Sequence, residues 1–282
     1  MKKTNLYLNY AGYCIAKKNH AIRGGNKQKI KFHALWGIIQ HPEKGYILYD
    51  TGYTQKFYKA TRHFPNKIYA VATKVSITPE KEVKHQLMNY GISPDEIKHI
   101  IITHFHADHV GGLTDFPNAQ IYTSKKALEH TLQLSKHISF AKGVLKDLLP
   151  SDLQKRAFII EDHCDKISTS HFDYKYDLFH DQSVYIYNMP GHAAGQIAVM
   201  VETTKNKYFL IADACWLKES YEENRLPHPI VKLFFHSWKS FKKTVSALNS
   251  FHKAHPEILI VPTHCSETTH KLVDNELNFS KL

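Results

Sequence analysis

Hydrophobic and polar positions along the chain fall into two kinds of run. Short, nearly continuous apolar runs rich in β-branched residues read as buried strands. They occupy residues 5–16, 30–40 and 46–50, then Ile97–Thr103, Gln120–Thr123, Val184–Met189, Tyr208–Ala212 and Ile258–Val261. Apolar positions spaced three and four apart read as amphipathic helices. Thr78-Pro79-Glu80 opens one with a cap, a proline and an acid, and Val83, Leu87 and Tyr90 follow before Gly91 ends it. Ser124 caps a second helix running to Thr131. A third runs from Ser237 to Lys253 with Phe241, Val245, Leu248 and Phe251 on its buried stripe. Ser93–Glu96 reads as a turn, and residues 17–29, with Gly24-Gly25, as a loop that is either a lid or a hairpin connection. Residues 132–183 fit this pattern least and carry many aromatic side chains. The mixture of strand and helix runs makes this an α+β chain.

Four of the strand runs end in side chains of one chemical kind. Ile97–Thr103 leads into His104-Phe105-His106-Ala107-Asp108-His109 and then Gly111-Gly112. Val184–Met189 leads into His192, Tyr208–Ala212 into Asp213, and Ile258–Val261 into His264. Residues two apart in extended backbone point to the same side, so His104 and His106 can converge on one point. Asp108 and His109 swing to a second point as the chain turns. Imidazole and carboxylate suit divalent zinc, and also iron or manganese. Five His and two Asp suffice for two cations, and a carboxylate between the clusters would bridge a pair about 3.5–4 Å apart. The donors span positions 104 to 264, so one domain covering 1–282 is expected.

This set resembles the metallo-β-lactamase superfamily, over about residues 30 to 265. The resemblance implies an αββα four-layer sandwich. It implies that one metal takes His104, His106 and His192, that the second takes Asp108, His109 and His264, and that Asp213 bridges. It also makes Asp50, in Asp50-Thr51-Gly52, a partner that orients a ligand histidine. Insertions such as 132–183 cover the site in that family. Tyr10–Cys14 resembles the opening of the N-acyl homoserine lactonase branch. In that branch a tyrosine stands three places after the bridging aspartate, and here the position is Trp216. An indole donates a hydrogen bond but does not titrate as a phenol does. Tyr221 is a second candidate to reach in. Residues 226–238 are apolar enough to line an acyl pocket or to pack in the core.

The implied chemistry is hydrolysis of an ester or lactone by a water activated between two divalent metal ions, zinc above all. Asp108 is the candidate catalytic proton carrier to the leaving oxygen. The alternatives are a phosphodiesterase or nuclease, a thioesterase, an iron-dependent redox enzyme, and a metal-binding regulator without turnover.

Composition narrows the partners. With 43% hydrophobic residues, 282 residues bury a sizeable core. The formal charge of +11 comes from scattered lysines that form no single stripe, so no nucleic acid partner is expected. No run approaches the ~18 apolar residues of a membrane span. The basic start Met1-Lys2-Lys3 lacks a clean apolar core after it, so the reading is a cytoplasmic protein with no membrane partner. A homodimer is compatible with the sequence. The four cysteines show no paired spacing, which fits reduced thiols. Cys215 and Cys265 lie within two residues of candidate ligands, where packing is the commoner role of a thiol.

Overall fold

The computed structural model describes residues 4–273. Two sheets lie face to face. The first has seven strands: β1 (Asn5–Lys17), β2 (Lys29–His41), β3 (Gly45–Tyr49), β4 (Val75–Ser76), β5 (His99–Ile101), β6 (Gln120–Thr123) and β7 (Ala157–Ile159), in the order β4-β1-β2-β3-β5-β6-β7. The second has six: β8 (Lys166–Ser168), β9 (Tyr174–Asp177), β10 (Val184–Asn188), β11 (Ile197–Glu202), β12 (Lys207–Ala212) and β13 (Leu259–Pro262), in the order β13-β12-β11-β10-β9-β8.

The continuous apolar runs follow from burial of both faces of each sheet. Along β2, Leu35 and Ile39 point between the sheets while Trp36 and Ile38 point outward into a core shared with Leu87 and Phe57. On β11, Val199 joins the inter-sheet core, whereas Ala198 and Met200 face the core beneath helix Trp238–Ala254. That helix buries Phe241, Val245, Leu248 and Phe251, as its spacing requires, and Ser237 Oγ caps it by accepting the Ser240 N–H. Helices thus cover both outer faces, giving the αββα sandwich expected from the resemblance.

Three local expectations change. The helix expected from Thr78 is split into a 3-10 turn, Pro79–Lys81, and a helix, Val83–Asn89. Glu82 between them is extended, and its carboxylate accepts the Gln55 N–H at 2.8 Å, a bond a continuous helix would withhold. Residues 17–29 connect β1 to β2 through one helical turn, Lys18–Ala21, and none of them lines the main cavity described below. The stretch 132–183 divides between roles. It supplies β7 to one sheet and β8 and β9 to the other, and only Phe140, Ala141 and Gly143 of it reach the main cavity.

Candidate metal centre

Parallel pairing brings the strand ends together. β3 and β5 run parallel, so Asp50 emerges beside Thr103 and His104. β12 and β13 run parallel, so Asp213 emerges beside His264. β10 is antiparallel to β11, and β11 to β12, so the carboxyl end of β10 and its His192 open on the same edge. The Ile197 N–H donates to the Thr103 carbonyl at 3.0 Å and ties the two sheets together there.

The swing expected after His106 is one turn of helix, Ala107–Val110, with His106 at its extended N-cap. It turns Asp108 toward His264 and sets the His109 ring 4.0 Å from that of His104, between the two points. Three overlapping groups result: His104, His106 and His192; His104, His109 and Asp213; Asp108, His109 and His264, with the donor atoms of each group within 4.8 Å of one another. Asp213 stands between them. Its Oδ2 lies 3.3 Å from His192 Nε2 and 3.1 Å from His264 Nε2, and its Oδ1 lies 3.5 Å from His109 Nε2. Asp108 Oδ2 lies 3.4 Å from His264 Nε2. All seven expected donors therefore meet in one place.

Behind them, Asp50 occupies the expected position. Its Oδ2 accepts from His109 Nδ1 at 2.7 Å and from the Thr103 hydroxyl at 2.8 Å, and its Oδ1 accepts the Thr103 N–H at 2.9 Å. His264 Nδ1 is fixed in the same way by the His33 carbonyl at 2.9 Å. Asp50 and Ala212, the residue before Asp213, both have positive φ (49° and 48°). Non-glycine residues take this conformation where surrounding structure compels it, and such sites gather around functional groups. Gly143 answers a different need. A Cβ there would sit 2.6 Å from the His106 ring.

The electrostatics suit a cation. Burial, aided by the neighbouring rings His109 and His106, drives the His104 pKa well below the ordinary value. Burial does the same to His192 and brings His106 to about 4. Neutral imidazole is the form that binds metal. His109 and His264 go the other way. Burial opposes their charge, but the carboxylates of Asp108, Asp50 and Asp213 outweigh it at His109, and Asp213 and Asp108 at His264. A field that draws protons onto two buried rings also attracts a cation. The decisive fit is in atoms with nothing to bond: His104 Nε2, His109 Nε2 and Asp213 Oδ1 are buried without a hydrogen-bond partner. Such atoms are costly unless something coordinates them, and a divalent cation at each cluster does that.

Over these donors opens a cavity of about 470 Å³, with His106, Asp108, His192, Asp213 and His264 in its floor. A profile of the metallo-beta-lactamase superfamily matches residues 31–249. The chain belongs to that superfamily. Like the other metallo-hydrolases of that superfamily, it is an enzyme. An N-acyl homoserine lactonase of Bacillus cereus is 24% identical over 227 residues, covering 79% of this chain and 80% of that one. Among solved structures, an N-acyl homoserine lactone hydrolase with N-hexanoyl-L-homoserine bound at its catalytic metal centre superimposes with a TM-score of 0.72. It is 21% identical and covers 96% of each chain. AidC, a dizinc quorum-quenching lactonase, gives 0.63 at 17% identity, covering 94% of this chain and 89% of that one.

The remaining candidates separate. Trp216 lines the cavity, and its Nε1–H donates to Asp213 Oδ2 at 3.1 Å. Tyr221 does not reach in. It is buried in the core beneath helix Trp238–Ala254 and its ring meets His252, because the short helix Lys218–Glu222 turns that side chain toward the long one. The metal-type groups among the described residues contain no cysteine. Cys265 Sγ instead accepts the Lys218 N–H at 3.3 Å. Of residues 226–238, Leu233 and Phe234 line the cavity, whereas Val231 and Phe235 are core.

Sequence reasoning missed Cys14, Phe32, Tyr53 and Tyr69, which complete the wall. Burial raises both phenols well above their usual range and the Cys14 thiol to about 12. They face the cavity as protonated donors. Nothing local marks them: Cys14 and Phe32 sit in ordinary strand positions, Tyr69 in a short helix and Tyr53 in the loop after β3.

Proposed function

We propose that this enzyme hydrolyses a lactone or ester, with N-acyl homoserine lactones as the leading substrate class, and that two divalent cations, zinc above all, serve the reaction. The observation that carries the reading is the double cluster sharing Asp213 beneath a cavity with apolar walls. His104, His106 and His192 would hold one cation, Asp108, His109 and His264 the other, with Asp213 between. Such cations supply Lewis acidity and make water a nucleophile near neutral pH.

The chain's own groups do the rest. Asp50 and the His33 carbonyl hold His109 and His264 in fixed orientation. Asp108 faces both the cavity and the cluster, the position required of a group that carries a proton to a leaving oxygen. Trp216 anchors Asp213 and closes one wall. Tyr53 and Tyr69 offer O–H donors in the cavity, a function the indole shares only through its N–H. The relatives' named activity and their coverage of 79% and 96% of the chain support the lactone assignment.

The test is a metal assay on protein purified without chelators, run with a panel of an acyl homoserine lactone, an aryl ester, a thioester and bis(p-nitrophenyl) phosphate. About two zincs per chain with lactone or ester turnover is the expected result. His106→Ala and Asp213→Ala should each lose bound metal and turnover together. Turnover of the phosphodiester alone, or full activity in either variant, overturns the proposal.

A further inference from the structure

Three segments contribute to the cavity wall, and each also leaves large apolar side chains in solvent. On the first, Phe64 is 74% exposed and Val71 71%, with Ile68 between solvent and cavity. On the second, Leu233 is 79% exposed, flanked by exposed Ile230 and Phe234. On the third, exposed Ile138 stands two residues from the cavity-lining Phe140. Isolated apolar side chains in water are ordinary, but several of them on the segments that wall one cavity mark a contact surface.

The charge of these segments identifies what they contact. No Asp or Glu occurs between Asp50 and Glu80, nor between Glu223 and Glu257. Lys59, Arg62, Lys67 and Lys74 belong to the first interval, and Lys232 and Lys239 to the second. The ammonium groups mix with the apolar ones: Lys67 Nζ lies 5.9 Å from the centre of the Phe64 ring and Lys232 Nζ 5.5 Å from that of Trp238. The carboxylate that approaches the first segment, Asp147, 3.5 Å from Asn66 Nδ2, is paired with Lys136 at 2.7 Å, so the balance stays basic. Apolar tips among predominantly basic side chains are what lets a surface lie at the boundary of an anionic bilayer.

We propose that this face docks on an anionic phospholipid surface, so that the cavity opens onto lipid and an acyl-bearing substrate enters from it. The substrate clause rests on the proposed hydrolase function; the docking does not. The contact is peripheral, since no described helix is long and apolar enough to cross a membrane. A second copy fits this face less well. A two-fold contact sets the same patch against itself, which would bring the two sets of lysines together, and like charges across an interface oppose binding.

The experiment is co-sedimentation of the full chain with vesicles of phosphatidylcholine, alone or with an equal share of phosphatidylglycerol. Binding to the anionic vesicles is expected to be at least about tenfold stronger and to weaken as salt rises. The double variant Val71→Asp/Ile230→Asp, at two exposed positions outside the cavity wall, should lose about tenfold of it. Met88→Asp, exposed on helix Val83–Asn89, should not. Melting temperatures equal to the parent's verify that both variants fold. Absence of wild-type binding to anionic vesicles at low salt overturns the proposal. So does binding that the double variant leaves intact. A wild-type dimer that the double variant separates, with no vesicle binding, assigns the face to a second copy instead. No turnover is measured, so a failed hydrolysis panel and a failed docking assay remain distinct results.

Discussion

Asp50 and His109 stand 59 positions apart in the chain and meet through a 2.7 Å contact between Oδ2 and Nδ1, both side chains fully buried. The contact leaves His109 Nε2 aimed at Asp108 and Asp213. Asp50→Asn keeps the shape but removes the charge and one acceptor. Metal affinity at the Asp108, His109 and His264 cluster should fall about 10–100-fold, with less effect at the other cluster. A metal titration followed site by site checks this. Unchanged affinity at both clusters would remove the orienting role from Asp50.

Gly191 precedes His192 with φ +139°, and a Cβ there would lie 2.3 Å from Phe241 Cα. Neither strain nor overlap has a cheap remedy, because the obstacle is the backbone of the helix that covers the sheet. Gly191→Ala should destabilise the fold by at least about 2 kcal/mol and shift His192. Denaturant unfolding measures the first effect and metal content the second. A variant with parental stability would show that the loop and helix separate more easily than the structure indicates.

Trp216 donates to Asp213 Oδ2 from the cavity wall. Trp216→Phe retains a ring and removes the donor. Loss of one hydrogen bond to a charged group should lower kcat by about tenfold while changing KM little. Steady-state kinetics on the turned-over substrate decides it. A change confined to KM would make Trp216 a substrate contact and nothing more.

His99 on β5 is half-buried, with Nδ1 2.9 Å from the Tyr122 hydroxyl. Burial first, then the charges of Lys44 and His41, lower its pKa below 6.5. As pH drops below 6.5, the unfolded chain takes up a proton that the folded chain resists. The unfolded state then binds more protons, so stability rises with pH. This contribution is complete above 6.5 and is lost as pH falls toward the lowered folded value. His99→Gln should therefore flatten the decline in Tm between pH ~7 and ~5. Parallel pH profiles for the two proteins would exclude His99 as a source of that decline.

Much of the molecule was readable in one dimension because its determinants are local. Strand runs such as 46–50 and Val184–Met189 announce themselves by burial on both faces, and β3 and β10 lie where they do. Helix Trp238–Ala254 follows from its apolar spacing and its serine cap. The seven metal-type side chains were legible because each follows a strand, and a strand end is a fixed place in the fold. Tyr221 misled, since proximity to Asp213 in sequence says nothing about which way a short helix turns it.

The sequence by itself determined eight of the thirteen described strands, missing β4, β7, β8, β9 and the buried β11, together with the main helices, the chemistry of the donors and the family to which they point. Only the tertiary structure decided which phenols and thiol face the cavity, that 132–183 supplies β7, β8 and β9 to the two sheets, and that exposed Ile68, Leu233 and Phe234 line one cavity. The physical reason is range. Periodicity and capping act over a few residues, whereas a cavity wall joins positions as distant as Cys14 and His264, brought together by two sheets closing on one another.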